Sequence, residues 1–197
     1  MSERTSVALP GTTSPAAGFD APFEMLAGCH ERVRRTLALL QRLVGHLGRQ
    51  GVDAQARDAA RDVCRYFDLA APQHHEDEER HVIPRLLASD DPRLREAART
   101  MQADHLRMHA AWSALGERLR QLHAAADGPM AAEAHAALAS SAAAFAALYD
   151  SHIPLEDGLA FPAARAALDG TALAAMGAEM ALRRGVHNPA PWSPPTS

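Results

Sequence analysis

One spacing of four residues occurs twice in this chain and constrains its fold more than any other feature. Each copy has a phenylalanine, a histidine seven residues later, a glutamate four further on and a proline six beyond that. The copies are Phe67, His74, Glu78, Pro84 and Phe145, His152, Glu156, Pro162. At about 3.6 residues per turn, the phenylalanine and histidine share one helical face and the glutamate lies one turn further. The sequence therefore predicts two related helices with histidine and carboxylate groups facing inward.

Each copy is preceded by a helix that carries a histidine on its apolar stripe. His30 lies 44 residues before His74, and His105 lies 47 residues before His152. The two stripes alternate steps of three and four residues, as bundle helices do. They consist of Val33, Leu37, Leu40, Val44, Leu47 and of Met108, Trp112, Leu115, Leu119, Leu122. The chain is thus expected to contain two helix pairs whose histidines meet at one level of the core.

The composition and the loop signals favour an all-α fold. The apolar residues are mainly alanine and leucine, and aromatic residues make up only 5%, which favours helix over strand. Glycine, proline and aspartate clusters at 48–53, 89–93 and 126–129 break the helical stretches. Short loops between long helices predict an antiparallel up-down-up-down four-helix bundle over residues 21–169. A short additional C-terminal helix is expected over 170–186, with disordered tails at 1–20 and 187–197.

Charge and hydropathy argue against several classes of protein. The formal net charge of −4 gives no basic surface for nucleic acid. No apolar stretch approaches the ~20 residues of a membrane span, and the N-terminus does not resemble a secretory signal. Two cysteines form no disulfide framework. We therefore expect a cytoplasmic protein without a nucleic-acid or membrane partner.

The inward histidines and carboxylates are the candidate functional residues. A buried polar group without a partner costs ~1–3 kcal/mol, and an isolated buried carboxylate costs more. Metal ions would satisfy the whole set, because neutral imidazoles donate lone pairs and carboxylates supply negative charge. The predicted metal ligands are His30, His74, Glu78, His105, His109, His152 and Glu156.

The size of this set indicates two ions rather than one. Seven nitrogen and oxygen ligands are too many for one tetrahedral zinc and suit two iron ions, with manganese or zinc as alternatives. Two Fe(II) ions with two carboxylates and a bridging hydroxide would carry a net charge of about +1, less anionic than four-carboxylate di-iron sites. Such a histidine-rich site favours binding of O₂, NO or peroxide over oxidation of a substrate.

The segment HHEDEE at 74–79 contains a second histidine and glutamate at the same spacing. His75 and Glu79 are also four residues apart, but only His74 and Glu78 match the repeat. His75, Glu76, Asp77 and Glu79 are therefore interpreted as surface or supporting residues, and His81 as packing. In HIPLED, Glu156 is preferred to Asp157 as the second carboxylate because it matches Glu78. Pro72 and Pro154 are expected to kink or loosen their helices.

The ordered set of histidines and carboxylates resembles the hemerythrin family, in its bacterial HHE branch, over residues 22–168. This resemblance implies a carboxylate-bridged di-iron centre. One iron would take His30 and His74, and the other would take His105, His109 and His152. Oxygen-carrying hemerythrins end with His-x-x-x-x-Asp, whereas HHE and iron-centre repair proteins use His-x-x-x-Glu. HIPLED offers both. We expect no counterpart of the small cysteine-bearing N-terminal domain of the repair proteins, which argues against that activity.

The sequence leaves three functions open. The first is a non-haem di-iron protein that binds or senses O₂, NO or peroxide, or holds iron, without being an enzyme. The second is a di-iron enzyme that reduces NO or peroxide or repairs iron-sulfur clusters. The third is an interaction module in which metal only stabilises the bundle. Neither a catalytic residue nor an oligomeric state is assigned.

Overall fold

The computed structural model describes residues 18–186, and every named element in that range is helical. The first bundle helix is α1 (Pro22–Gln50), and the third is α5 (Pro92–Gln121), which ends in a 3₁₀ turn (Leu122–Ala124). The second comprises α2 (Ala54–Arg65), a π-helical segment (Tyr66–Ala70), α3 (Ala71–His81) and α4 (Ile83–Leu87). The fourth comprises α6 (Ala132–Leu155), a π-helical segment (Glu156–Ala160) and α7 (Phe161–Ala166), and α8 (Gly170–Arg183) follows.

The four bundle helices pack in a closed ring. α1 contacts α2 and α6, and α5 contacts the same two helices from the opposite side. Short connections make neighbours in the chain antiparallel. The predicted all-α bundle with an added C-terminal helix is confirmed. The tails expected at 1–20 and 187–197 fall outside the described residues, except that residues 18–20 lead through a turn into α1. Across 18–186, no helix combines the length and apolar character of a membrane span.

The loop glycines bring two connections together at one end of the bundle. Val52 and Gly128 exchange two backbone hydrogen bonds of 2.7 and 3.0 Å, which join the α1–α2 loop to the α5–α6 loop. Gly51 has a φ of 77°, and a β-carbon there would lie 2.1 Å from the Gly128 carbonyl oxygen. Only glycine fits this position, so the loop cluster predicted from GRQGVD and ADGP has a specific packing role.

Each π-helical segment ends two residues before a proline. The backbone N–H of Ala71 donates to the carbonyl of Tyr66, and that of Phe161 donates to the carbonyl of Glu156. Proline lacks an N–H and its ring crowds the carbonyl four residues earlier, so a wider turn there relieves the helix. The predicted loosening at Pro72 is thus confirmed. Pro154 lies inside α6, which gives way to a π segment two residues later.

The apolar core consists of two clusters with the candidate ligands at their junction. The first cluster fills the α2 end of the bundle and includes Val33, Leu40, Phe67, Met108, Trp112 and Phe145. The second includes Phe23, Leu26, Ile83, Leu86, Met101, Phe161 and Met180. Along every bundle helix, the candidate ligands fall where one cluster gives way to the other. The fold therefore surrounds polar side chains with apolar layers on both sides.

The C-terminal helix α8 closes the second cluster and holds an acidic residue of α3. Arg183 at its end and Arg184 directly after it both donate to the fully buried carboxylate of Asp77, with Arg184 Nη2 at 2.6 Å from Oδ2. The sequence analysis assigned His81 to packing. Its Nε2 atom lies 2.6 Å from Oε2 of Glu179 in α8. A β-carbon at Gly177 would lie 1.7 Å from the Phe19 carbonyl oxygen, so α8 also approaches the segment before α1 closely.

Replacing both arginines of α8, as Arg183→Gln/Arg184→Gln, is expected to destabilise the protein by about 3 kcal/mol. The loss would arise because the buried Asp77 carboxylate would lose its cationic partners. The matched control is Arg93→Gln/Arg99→Gln, which removes two exposed ion pairs and should cost under about 1 kcal/mol. Urea unfolding followed by circular dichroism measures the free energy of unfolding of both variants. Equal losses of stability in the two variants would contradict this role of α8.

Candidate metal site

Seven side chains from the four bundle helices converge at the junction of the two apolar clusters. They form two overlapping groups whose ligand atoms lie within 4.8 Å of one another in each group. The first group is His75, Glu78, His105 and His152, and the second is His30, His74, Glu78 and Glu156. Six of the seven residues predicted from the sequence are therefore brought together, and Glu78 belongs to both groups.

The two glutamates lie between the groups. Glu156 Oε2 is 3.0 Å from His30 Nε2, while its Oε1 is 2.8 Å from His152 Nε2. Glu78 Oε1 is 3.3 Å from His74 Nε2, and its Oε2 is 3.3 Å from His105 Nε2. Each carboxylate thus directs one oxygen towards each group. This is the arrangement that two carboxylates bridging a pair of cations require.

Eight polar atoms of this cluster are buried and, although several approach one another to 2.8–3.3 Å, they make no hydrogen bond of acceptable geometry among the described residues. Four imidazole nitrogens and all four carboxylate oxygens of the two glutamates are in this state. They are His30 Nε2, His74 Nδ1, His105 Nε2, His152 Nε2, and Oε1 and Oε2 of Glu78 and Glu156. Native proteins rarely leave such atoms unpaired. Lone-pair donors of these two kinds fit bound cations, which would satisfy them together.

Three of the histidines form a hydrogen bond with a carboxylate on the side of the ring that faces away from the cluster. The Nδ1 atoms of His30, His105 and His152 donate to Asp157, Glu79 and Asp104 at 2.8, 2.8 and 3.2 Å. These bonds place the proton on Nδ1 and leave the Nε2 lone pair directed into the cluster. Carboxylates behind metal-binding histidines act in this way: they fix the tautomer and the ring orientation.

The sequence held a partial signal for these supporting carboxylates. In both copies of the repeat an acidic residue follows the buried glutamate, Glu79 after Glu78 and Asp157 after Glu156. The preference for Glu156 over Asp157 at the centre agrees with the geometry, since Glu156 is fully buried and Asp157 is 38% exposed. Asp104 was missed, because a single aspartate before His105 has no counterpart in the repeat.

The structure does not bring His109 into either group. It is exposed, whereas His75, interpreted from the sequence as a surface or supporting residue, takes a place in the first group. The His75 ring stacks on that of His105, with centroids 4.2 Å apart and planes at 10°. The geometry therefore places His75, rather than His109, beside the other candidate ligands.

The π-helical segment before α3 explains this difference. A π turn widens the helix, so side-chain directions calculated for a regular helix do not hold across it. The Phe67–His74 spacing assumed a regular helix, and the bulge at Tyr66–Ala70 turns His75 inward beside His74. His109 lies on the unbroken helix α5, where it is carried towards solvent.

Burial and mutual proximity set the protonation of the cluster. Burial lowers the pKa of His74 to about 3. Burial also acts to lower the pKa of His105, but the carboxylates of Glu156, Glu78 and Glu79 outweigh it and raise the pKa to about 10. Burial and the neighbouring Glu156 raise the pKa of Glu78 well above its ordinary value. These carboxylates and imidazoles therefore compete for protons, which bound cations would displace.

Comparison with known proteins assigns this arrangement to a family. The model of the hemerythrin HHE cation-binding domain matches residues 21–175. The chain belongs to the hemerythrin HHE cation-binding family. The HHE match covers the whole bundle and the start of α8, so the resemblance inferred from the motifs is confirmed, and with it cation binding.

A relative of this HHE protein occurs in Haemophilus influenzae. It is described as an uncharacterized protein and is 31% identical over 170 residues. The matched region covers 86% of this chain and 94% of the relative. The similarity therefore extends over nearly the full length of both proteins.

Replacing His75 is expected to affect metal binding more than replacing His109. His75→Ala removes a donor from the first group and should retain about half of the metal of the wild-type protein after dialysis. His109→Ala should retain all of it, because this side chain lies outside both groups. Inductively coupled plasma mass spectrometry of both variants measures the content; loss of metal from His109→Ala alone would restore the assignment made from the sequence.

Proposed function

We propose that this HHE protein binds two iron ions and uses them to bind or sense O₂, NO or peroxide. His75, His105 and His152 would hold one ion, and His30 and His74 the other. Glu78 and Glu156 would bridge the two ions. The observation that carries this proposal is the set of eight buried, unpartnered ligand atoms between the two apolar clusters.

The chemistry of the donors supports iron and a pair of ions. Five imidazoles and two carboxylates exceed the four ligands of a structural zinc site and lack the thiolates that often accompany zinc. Imidazole with carboxylate suits iron, whereas sites for magnesium and calcium are built from oxygen ligands. Manganese or zinc in the same positions is the alternative to be distinguished by metal analysis.

The surroundings of the cluster support ligand binding rather than mere storage of iron. When bound at these residues, a ferrous pair would supply the electrons and the coordination site for a small oxygen- or nitrogen-containing ligand. The second group would hold its ion with two imidazoles, whereas the first has three. The apolar clusters exclude bulk water, and Asp157, Glu79 and Asp104 keep the histidines oriented for repeated binding and release.

A cavity that reaches the cluster argues against a purely stabilising role for the metal. It has a volume of about 360 Å³ and is lined by His75 and His105 together with apolar residues of the first cluster. A metal that only stabilised the bundle would need no such opening. The same opening also suits the second candidate function, an enzyme that reduces NO or peroxide, and turnover in the presence of a reductant separates the two.

The proposed function is tested on protein purified from iron-replete cells. Two irons per chain and an oxo-to-iron charge-transfer band in the near ultraviolet are expected in the oxidised state. After anaerobic reduction, titration with O₂ and then with NO should each give a saturable spectral change at one ligand per iron pair. Folded protein that carries zinc, or that carries iron and responds to none of the ligands, would refute the proposal. Multiple turnovers with a reductant would favour the enzyme.

A further inference from the structure

The cavity beside the cluster has an aromatic base and a histidine roof. It lies between the second and third bundle helices and opens to the surface. Phe67, Trp112, Phe145 and Tyr149 line the part away from the cluster, and His75 and His105 line the part against it. None of these residues belongs to the group formed by His30 and His74, so the cavity meets the first group alone.

The size of the cavity exceeds what a diatomic ligand requires. O₂ or NO needs about the space of one or two water molecules, each occupying roughly 30 Å³. The cavity volume of about 360 Å³ is roughly ten times the space of one water and falls within the range of small-molecule sites, about 300–1,000 Å³. The space therefore suits an organic molecule of about ten non-hydrogen atoms.

The base of the cavity presents aromatic surface in a fixed arrangement. The centroid of the Phe67 ring lies 4.9 Å from the ring centroids of both Trp112 and Phe145. The centroids of Trp112 and Phe145 are 5.5 Å apart. Trp112 Nε1 already donates to Asp68 at 2.9 Å, so the indole offers the cavity only its apolar surface. Aromatic side chains commonly pack at such distances, and a further ring can extend this packing.

The part of the cavity against the cluster offers His75 as a polar group that the protein itself does not satisfy; Gln102 and His109 line the same cavity and also make no side-chain hydrogen bond among the described residues. His75 has no hydrogen-bond partner within residues 18–186, whereas His105 is held by Glu79 and His152 by Asp104. A histidine that binds a metal through one nitrogen carries its proton on the other. The N–H of a metal-bound His75 would therefore be available to an acceptor oxygen of a molecule in the cavity.

We propose that this cavity binds a small uncharged aromatic molecule with a hydroxyl group, of the phenol class, against His75 and His105. The aromatic base receives the ring, and the hydroxyl oxygen accepts from His75. The carboxylates of Glu79 and Asp68 also line the cavity and oppose an anionic ligand. This inference rests on the proposed function, since it places an organic ligand beside the ion pair.

The test uses isothermal titration calorimetry of the full, iron-loaded chain with p-cresol, and with benzoate as the anionic comparison. We expect saturable binding of p-cresol, with benzoate at least tenfold weaker. Ala71→Leu fills the wall of the cavity and should weaken p-cresol binding at least tenfold. Ala70→Leu is the matched control, because Ala70 lines a different groove, and should change binding less than twofold. Leu106→Trp, at an exposed rim position, should weaken binding at least threefold even if Ala71→Leu fails to fold.

The iron content of each sample separates this inference from the proposed function. Iron-loaded wild-type protein that does not bind p-cresol at millimolar concentration overturns the inference and leaves the di-iron proposal standing. Equal weakening by Ala70→Leu and Ala71→Leu, or no effect of Leu106→Trp, also overturns it. A protein that binds p-cresol in the cavity yet never takes up iron would instead refute the di-iron proposal and leave the aromatic site intact.

Discussion

Unpaired polar atoms at the junction of two apolar clusters are the constraint on which the rest of this structure depends. Each buried donor or acceptor without a partner costs ~1–3 kcal/mol, and eight such atoms meet at this junction. Their combined cost is comparable to the net stability of a whole domain, about 5–15 kcal/mol. Such a core is tolerable only when cations, or protons in their absence, occupy the space between imidazoles and carboxylates.

The rest of the fold serves to position and support these atoms. The antiparallel arrangement brings one stretch of each bundle helix to the same level, and the π-helical segments adjust the direction of side chains beside Pro72 and Pro162. Supporting carboxylates on Asp104, Glu79 and Asp157 fix three imidazole rings from outside. The helix α8 closes the second apolar cluster and neutralises Asp77, the residue immediately before Glu78, so that the ligand-bearing helix α3 is held from its outer side as well.

The sequence predicted most of this arrangement because helical periodicity and the repeat are local properties. Alternating steps of three and four residues placed His30 and His105 inward, and the repeated spacing selected His74, Glu78, His152 and Glu156. The place of His75 beside His74 was not predicted, because the prediction assumed a regular helix and nothing in the spacing shows that one turn is widened. Asp104 and the cavity depend on packing between helices distant in the chain, which no local pattern reports.

The central claim is tested most directly by measuring the thermal unfolding of the protein with and without bound iron. Removal of the ions by an anaerobic chelator should lower the unfolding midpoint by about 10 °C, which corresponds to a loss of roughly 3–5 kcal/mol for a chain of this size. Re-addition of two equivalents of Fe(II) should restore the midpoint. An iron-free protein that unfolds cooperatively at the same temperature as the loaded one would show that cations are not what makes this core tolerable.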